Sequence, residues 1–258
     1  MSTEQHQRRA GRRRPRSRDA AGLPAVTPER IIDAALALTA RYGAESWTLR
    51  QLAGAIDAYP AVIYHHVGDR DTIMTAVVDR VTAMYELPPA DLEWRAWWRR
   101  FLTNLRVVFT HYPGVARRVA LHGPSTEAGG PTVDRAMRTL LHAGFEQDEA
   151  AMVCRLLISQ ACLFISLEDD QRQANRAKGQ IKISGGWGEP IADPDLTGLA
   201  TLSESVHERL ADPETNRDYF AELFDYAINR VIDGVAVQLA AAVGTAGGAT
   251  QGRSWGPA

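Results

Sequence analysis

Three features of the sequence predict an all-α protein. Apolar residues recur at helical spacing along most of the chain, alternating strand patterns are absent, and Gly and Pro fall where helices would stop. Thr27-Pro28 opens the first helix: Thr27 suits the N-cap and Pro28 the first helical position, although Arg30 stands where a capping box would place Glu. Ile31, Ala34, Ala35, Leu38 and Tyr42 then form an apolar stripe that Gly43 ends. Thr48 caps a short helix over 49–56, and Asp57-Ala58-Tyr59 makes a tight break. Pro60 opens a second short helix over 60–66. Gly68 interrupts again, and Asp69 or Asp71 caps a longer helix that runs past Met84 toward Pro88-Pro89. Two short helices joined by a three-residue break, after a longer one, match a helix-turn-helix.

Beyond Pro89 the helices lengthen. The pattern predicts helices over 92–111, 115–121, 132–143, 148–167, 196–210 and about 216–243. A polar, Gly-rich stretch over roughly 169–195 reads as a loop, either disordered or mobile and functional. The organisation expected is a disordered basic arm over 1–26, a helix-turn-helix domain over 27–87, a larger helical domain over 88–243 and a flexible tail over 244–258.

Composition limits the function. At 45% hydrophobic and 23% charged residues the chain is that of a globular protein. No stretch is read as reaching the roughly 18 apolar residues that cross a bilayer. No secretory signal is evident either, so no membrane partner and a cytoplasmic location are expected. The formal charge of −2 conceals an asymmetry: residues 1–30 carry eight Arg against Glu4, Asp19 and Glu29, so a basic arm precedes an acidic body. Such an arm suits a polyanion, and equally a solubilising tail. Cys154 and Cys162, eight residues apart on one helix, would sit about 12 Å apart, too far for a bridge. They read as buried hydrophobes. No nucleophile elbow, phosphate loop or metal-spaced ligand set suggests an enzyme, and neither cofactor nor metal is expected. The adjacent His65 and His66 point in different directions on a helix and would not share an ion.

The segment from Thr48 to Ile73 resembles the DNA-binding signature of the TetR (tetracycline-repressor-like) family. The matching features are Thr48-x-Arg50-x-Leu52-Ala53 and Tyr64-x-His66-Val67. Two departures are mild: Arg70 replaces the usual Lys, and Asp57 replaces the usual turn Gly, Asp being tolerant of left-handed backbone. The resemblance continues, more weakly, through Trp98 to Leu102, Leu141 to Ala150, Leu167 to Gln171 and Leu223 to Asp225, covering about residues 27–242.

The resemblance implies operator double-stranded DNA, a small-molecule effector and a homodimer as partners. Arg50 can fork onto guanine, and Tyr59, Pro60 and Ala61 can meet thymine methyls. Tyr64, His65, His66 and Arg70 suit the phosphates, and Thr48, the cap of the first short helix, belongs to the same DNA-binding set. An effector pocket is expected among the helices beginning near Leu92, Val115, Thr132 and Asp148. Its candidates are Tyr85, Phe101, Leu105, Phe109, His122, Met137, Leu141, Met152, Ser159 and Gln160, for whose apolar members core packing is the competing account. The helices over 148–167 and 216–243 supply the dimer faces, and the helix from Asp69 to Glu86 is a candidate pendulum. The reading is a ligand-released repressor. An effector-independent DNA-binding regulator or activator is the alternative.

Overall fold

The computed structural model describes residues 25–178, 191, 193–211 and 213–249, and among the described residues it contains ten helices and no strand. α1 (Pro28–Tyr42) is closed at both ends. Thr27 Oγ1 accepts from the Arg30 amide at 3.2 Å, and Gly43, at φ +92°, donates its N–H to the Thr39 carbonyl at 2.8 Å. Val26, assigned to the arm from sequence, is buried in the core, so the folded domain starts before residue 27.

α2 (Leu49–Ala55) begins with a complete capping box: Thr48 Oγ1 accepts from the Gln51 amide at 3.3 Å, and Gln51 Oε1 accepts from the Thr48 amide at 2.8 Å. Asp57 then adopts φ +52°, alone among the described non-glycine residues in taking a positive φ, and the chain reverses into α3 (Pro60–His66). Asp69 caps α4 (Arg70–Thr82) by accepting from the Thr72 amide at 2.8 Å. Ile31, Ala35, Trp47, Leu52, Ile63 and Ile73 are buried among these helices, which hold one another through that core.

The larger part comprises α5 (Trp94–Phe109), α6 (Val115–His122), α7 (Thr126–Ala143), α8 (Gln147–Lys178), α9 (Thr197–Ala211) and α10 (Pro213–Ala249). α8 is its hub, packed against α5, α6, α7 and α10, while α4 reaches α5, α6 and α7 from the head.

Several sequence boundaries change. α4 stops at Thr82, where the Ala83 amide closes the helix on the Asp79 carbonyl, short of the expected run past Met84 to Glu86. α7 starts at Thr126 and not near 132, because Ser125 Oγ caps the Ala128 amide at 3.2 Å and Gly129 leaves room for the Pro124 ring. Pro131 is carried inside that helix. α8 continues to Lys178, so the first part of the expected 169–195 loop is helical. α10 runs through Ala249, which makes 244–249 helix and not tail. Residues 191 and 193–195 of the expected loop are non-helical, and the arm before residue 25, the loop over 179–190 and the tail from 250 lie outside the described residues.

The membrane reading also needs correction. Gln147–Gln173 is long and apolar enough to span a bilayer by length and composition, its most apolar 18-residue window having a mean hydropathy of 1.9. Its inward residues, Ala150, Val153, Leu157, Ala161 and Ile165, are buried in the protein core.

Candidate DNA-reading head and effector cavity

The sequence candidates in the head lie on its exposed surface. Arg50, second in α2, is exposed, as are Tyr59, Pro60, Ala61, Tyr64, His65 and His66 of the turn and α3. Within α3 the buried residue is Ile63, which anchors the helix and leaves its other faces to solvent. Tyr59 is 77% exposed and Tyr64 53%, unusual for aromatic side chains with no partner to cover them. The His65 and His66 rings meet edge to face, 5.7 Å apart.

Thr48 is exposed but occupied by its capping box. Arg70 differs more from expectation. Its Nη2 donates to the Ala44 carbonyl at 2.6 Å, its Nη1 to Glu45 at 3.3 Å, and the guanidinium lies 5.1 Å from the Trp47 ring centre. Its charge serves to brace the turn after α1.

That turn is also where the head meets the larger domain. The Ala44 amide donates to the Pro113 carbonyl at 2.7 Å, and Arg118 of α6 donates to Glu45 and to Asp71 of α4, each at 3.3 Å. Asp169 of α8 lies beneath. Its Oδ2 accepts from the Gly114 amide at 2.9 Å, whereas its Oδ1 is buried without a hydrogen-bond partner. A cavity of about 90 Å³ at this joint is lined by Ala44, Glu45, Arg117, Ser166, Asp169 and Gln173, among others. Burial pushes the Asp169 carboxyl up to about 7, against the pull of the Gly114 amide and Arg172 and with the help of Glu168 and Asp170.

The structure divides the ten effector candidates. Phe101, Leu105 and Phe109 are buried core residues, and Tyr85 packs on Phe101 and Phe109 with ring centres 5.7 and 6.3 Å away. Burial raises the Tyr85 hydroxyl above its ordinary value, offset in part by its hydrogen bond with Thr132. Ser159 and Gln160 are half-buried, while His122, Leu141 and Met152 are exposed. Met137 alone among the ten lines the open cavity of about 290 Å³ between α6, α7 and α8. The sequence reading passed over Val119, Pro124, Val133, Cys154, Arg155 and Ile158, which line it too. One signal was available: Arg155 is the sole charged residue from Ala150 to Leu167.

A three-helix head with an exposed second short helix, joined to a helical core with its own cavity, defines the class: an all-α protein with a helix-turn-helix head. The comparisons agree. No protein-family model matches the chain. An HTH-type transcriptional regulator of Saccharopolyspora erythraea is 29% identical over 126 residues, 47% of this chain and 52% of that protein. The class A tetracycline repressor of Escherichia coli is 28% identical over 131 residues, 48% of this chain and 59% of the repressor. The chain thus spans little more than half the length of these curated relatives.

Among solved structures, the Streptomyces coelicolor TetR-family protein ActR, in complex with (S)-DNPA, superposes with a TM-score of 0.63 at 21% identity, covering 84% of this chain and 100% of ActR. BioQ with its double-stranded DNA operator superposes with a TM-score of 0.52 at 20% identity, covering 69% of this chain and 99% of BioQ. About half of the chain is thus similar in sequence to helix-turn-helix transcriptional regulators, and its fold is similar to that of solved TetR-family proteins.

Proposed function

We propose that this protein is a cytoplasmic, homodimeric repressor that binds palindromic operator DNA and is released when a small molecule occupies the α6–α7–α8 cavity. One observation carries the coupling. Val119 of α6 lines the cavity, and the adjacent Arg118 bonds Glu45 and Asp71 of the head. A ligand that moves α6 therefore moves the contacts that orient the head. If it favours an orientation the operator does not, operator binding must weaken by the same factor.

A dimer places two α3 helices on successive major grooves, which requires a separation of roughly 34–36 Å or a multiple of it. Support for the dimer comes from Met152, Leu156, Leu163 and Leu167, which are exposed along one side of α8. Tyr226 and Val237 of α10 are exposed as well. Such a surface is usually covered by a partner. ActR and BioQ, solved with a small molecule and with operator DNA respectively, lend the two halves of the reading their precedent. The absence of an enzyme-like constellation in the sequence favours a regulator.

In the head, Arg50 reads a base, Tyr59, Pro60 and Ala61 contact base edges, and Tyr64, His65 and His66 hold phosphates, while Thr48 fixes the start of α2 at the DNA surface through its capping box. Arg70 acts one step back, as the brace of the turn. Fluorescence anisotropy with a selected operator and an unrelated duplex tests this. Arg50→Ala is expected to weaken operator binding by about 1–3 kcal/mol while shifting the unrelated duplex far less. Equal losses on both duplexes would make Arg50 a phosphate contact, and no loss on either would remove it from the interface.

A further inference from the structure

The wall of the α6–α7–α8 cavity is apolar over most of its extent, formed by Val119, Pro124, Val133, Met137, Ala151 and Ile158. Arg155 brings the one ionised side chain to that wall. Its Nη2 donates to the Ala120 carbonyl, near the end of α6, at 3.1 Å. That bond positions the guanidinium and neutralises nothing, and it uses one of five N–H donors. Among the described residues no carboxylate lies within ion-pair distance of Arg155. Arg99, Arg106 and Arg172 of the same domain each pair with one, and Arg118 pairs with two. Arg155 is exposed, so water solvates its charge, and it stands as a cation without a carboxylate partner at the open edge of an apolar wall.

We propose that the cavity takes a small, largely apolar monoanion, a carboxylic acid with an aromatic or branched aliphatic body, whose carboxylate pairs with Arg155. The proposal rests on the reading of this cavity as the effector site and adds the chemical class. A cation would be repelled by the guanidinium. A second anionic group would lie against apolar side chains with no partner, at a large desolvation cost. A neutral ligand would forgo the charge-assisted bond that the guanidinium offers. The α6 carbonyls at the rim are weakly negative, and Arg155 already satisfies that of Ala120, so the carboxylate seats on the free edge of the guanidinium. The volume, near the lower end of the roughly 300–1,000 Å³ of ligand pockets, suits a body of one or two rings. Binding is reversible: Cys154 also lines the cavity, but burial pushes its thiol up to about 11, leaving little thiolate to attack a ligand.

The test is calorimetric titration of the full-length protein at neutral pH with benzoate, 2-naphthoate, 4-phenylbutyrate and octanoate, each paired with its neutral primary amide. At least one acid is expected to bind about 10- to 100-fold more tightly than its amide, the range of a charge-assisted bidentate pair. Arg155→Met brings that acid to the level of the amide, and Arg155→Lys retains part of the preference. Thermal melts of both variants check that they fold. Val133→Trp, which fills the cavity from α7, weakens acid and amide together. Failure of every acid to bind, equal binding of acid and amide, or a preference that survives Arg155→Met overturns the proposal. Operator release is scored separately with the bound acid. An acid that binds through Arg155 yet leaves operator affinity unchanged upholds the ligand class and contradicts the effector role of the cavity.

Discussion

Asp169→Asn is expected to flatten the dependence of stability on pH across neutrality. The Asp169 carboxyl is 1% exposed, one oxygen accepts from Gly114 and the other has no partner. Its acidity is shifted from 3.8 to about 7, with burial as the leading cause. The sign follows from proton binding. Below about pH 4 both folded and unfolded chains hold the proton. Between about 4 and 7 the unfolded chain loses it while the folded chain keeps it, so stability declines as pH rises through that window. Above about 7 the folded protein carries a buried carboxylate near Glu168 and Asp170, which Arg172 offsets only in part. The Asn side chain stays neutral and keeps an oxygen for the Gly114 amide. Wild-type Tm should therefore fall more between pH 5 and pH 8 than that of the variant. Parallel curves would mean that Asp169 ionises without hindrance. Because Gly114 follows the Pro113 carbonyl that holds Ala44, the same substitution should reduce the pH dependence of operator affinity.

Trp47→Ala should cost about 3–5 kcal/mol of stability, the range for emptying a large aromatic site. The Trp47 ring is 1% exposed and fills the space behind the turn after α1. Its Nε1 donates to Thr39 Oγ1 at 3.0 Å, and that hydroxyl donates to the Ala35 carbonyl at 2.9 Å, so a chain of buried polar groups is satisfied through the indole. Arg70 lies over the ring and holds Ala44 and Glu45. The substitution leaves a cavity, removes the Thr39 donor and loosens the brace at which the larger domain grips the head. Urea unfolding followed by circular dichroism measures the loss, and operator affinity should fall with it. A change below about 1 kcal/mol would show that the site collapses around the vacancy.

Much of the head was legible because its signals are local. Thr27, Thr48 and Asp69 cap with their own side chains, Pro28 and Pro60 start helices, and Asp57 takes the left-handed conformation that its place in the turn requires. The length of α8 was not legible. Beyond Leu167 the sequence turns polar, which reads as a loop, yet Glu168 is 1% exposed because Arg106 donates to it at 2.9 Å and Arg172 pairs with it from the next turn. Partners 62 residues apart cannot be inferred from periodicity. The start of α7 was hidden for a related reason. Gly129-Gly130-Pro131 looks like a break, and only the packing of Gly129 on Pro124 shows why glycine belongs inside a helix there. Candidate effector residues chosen by apolarity fell mostly in the core, since a cavity wall and a core face share one pattern along a helix. Arg155, a lone charge in an apolar run, was the signal that this stretch of α8 borders a cavity.

The central claim is that the exposed faces of α2 and α3 read DNA as a symmetric pair. Selection from a random double-stranded DNA library tests it most directly, using the full-length protein and the Arg50→Ala variant in parallel. The account predicts that wild type enriches a palindrome with half-sites one helical turn or a multiple apart, and that Arg50→Ala loses the preference at one position in each half-site. Enrichment of no sequence, or of a single unrepeated half-site, would contradict it.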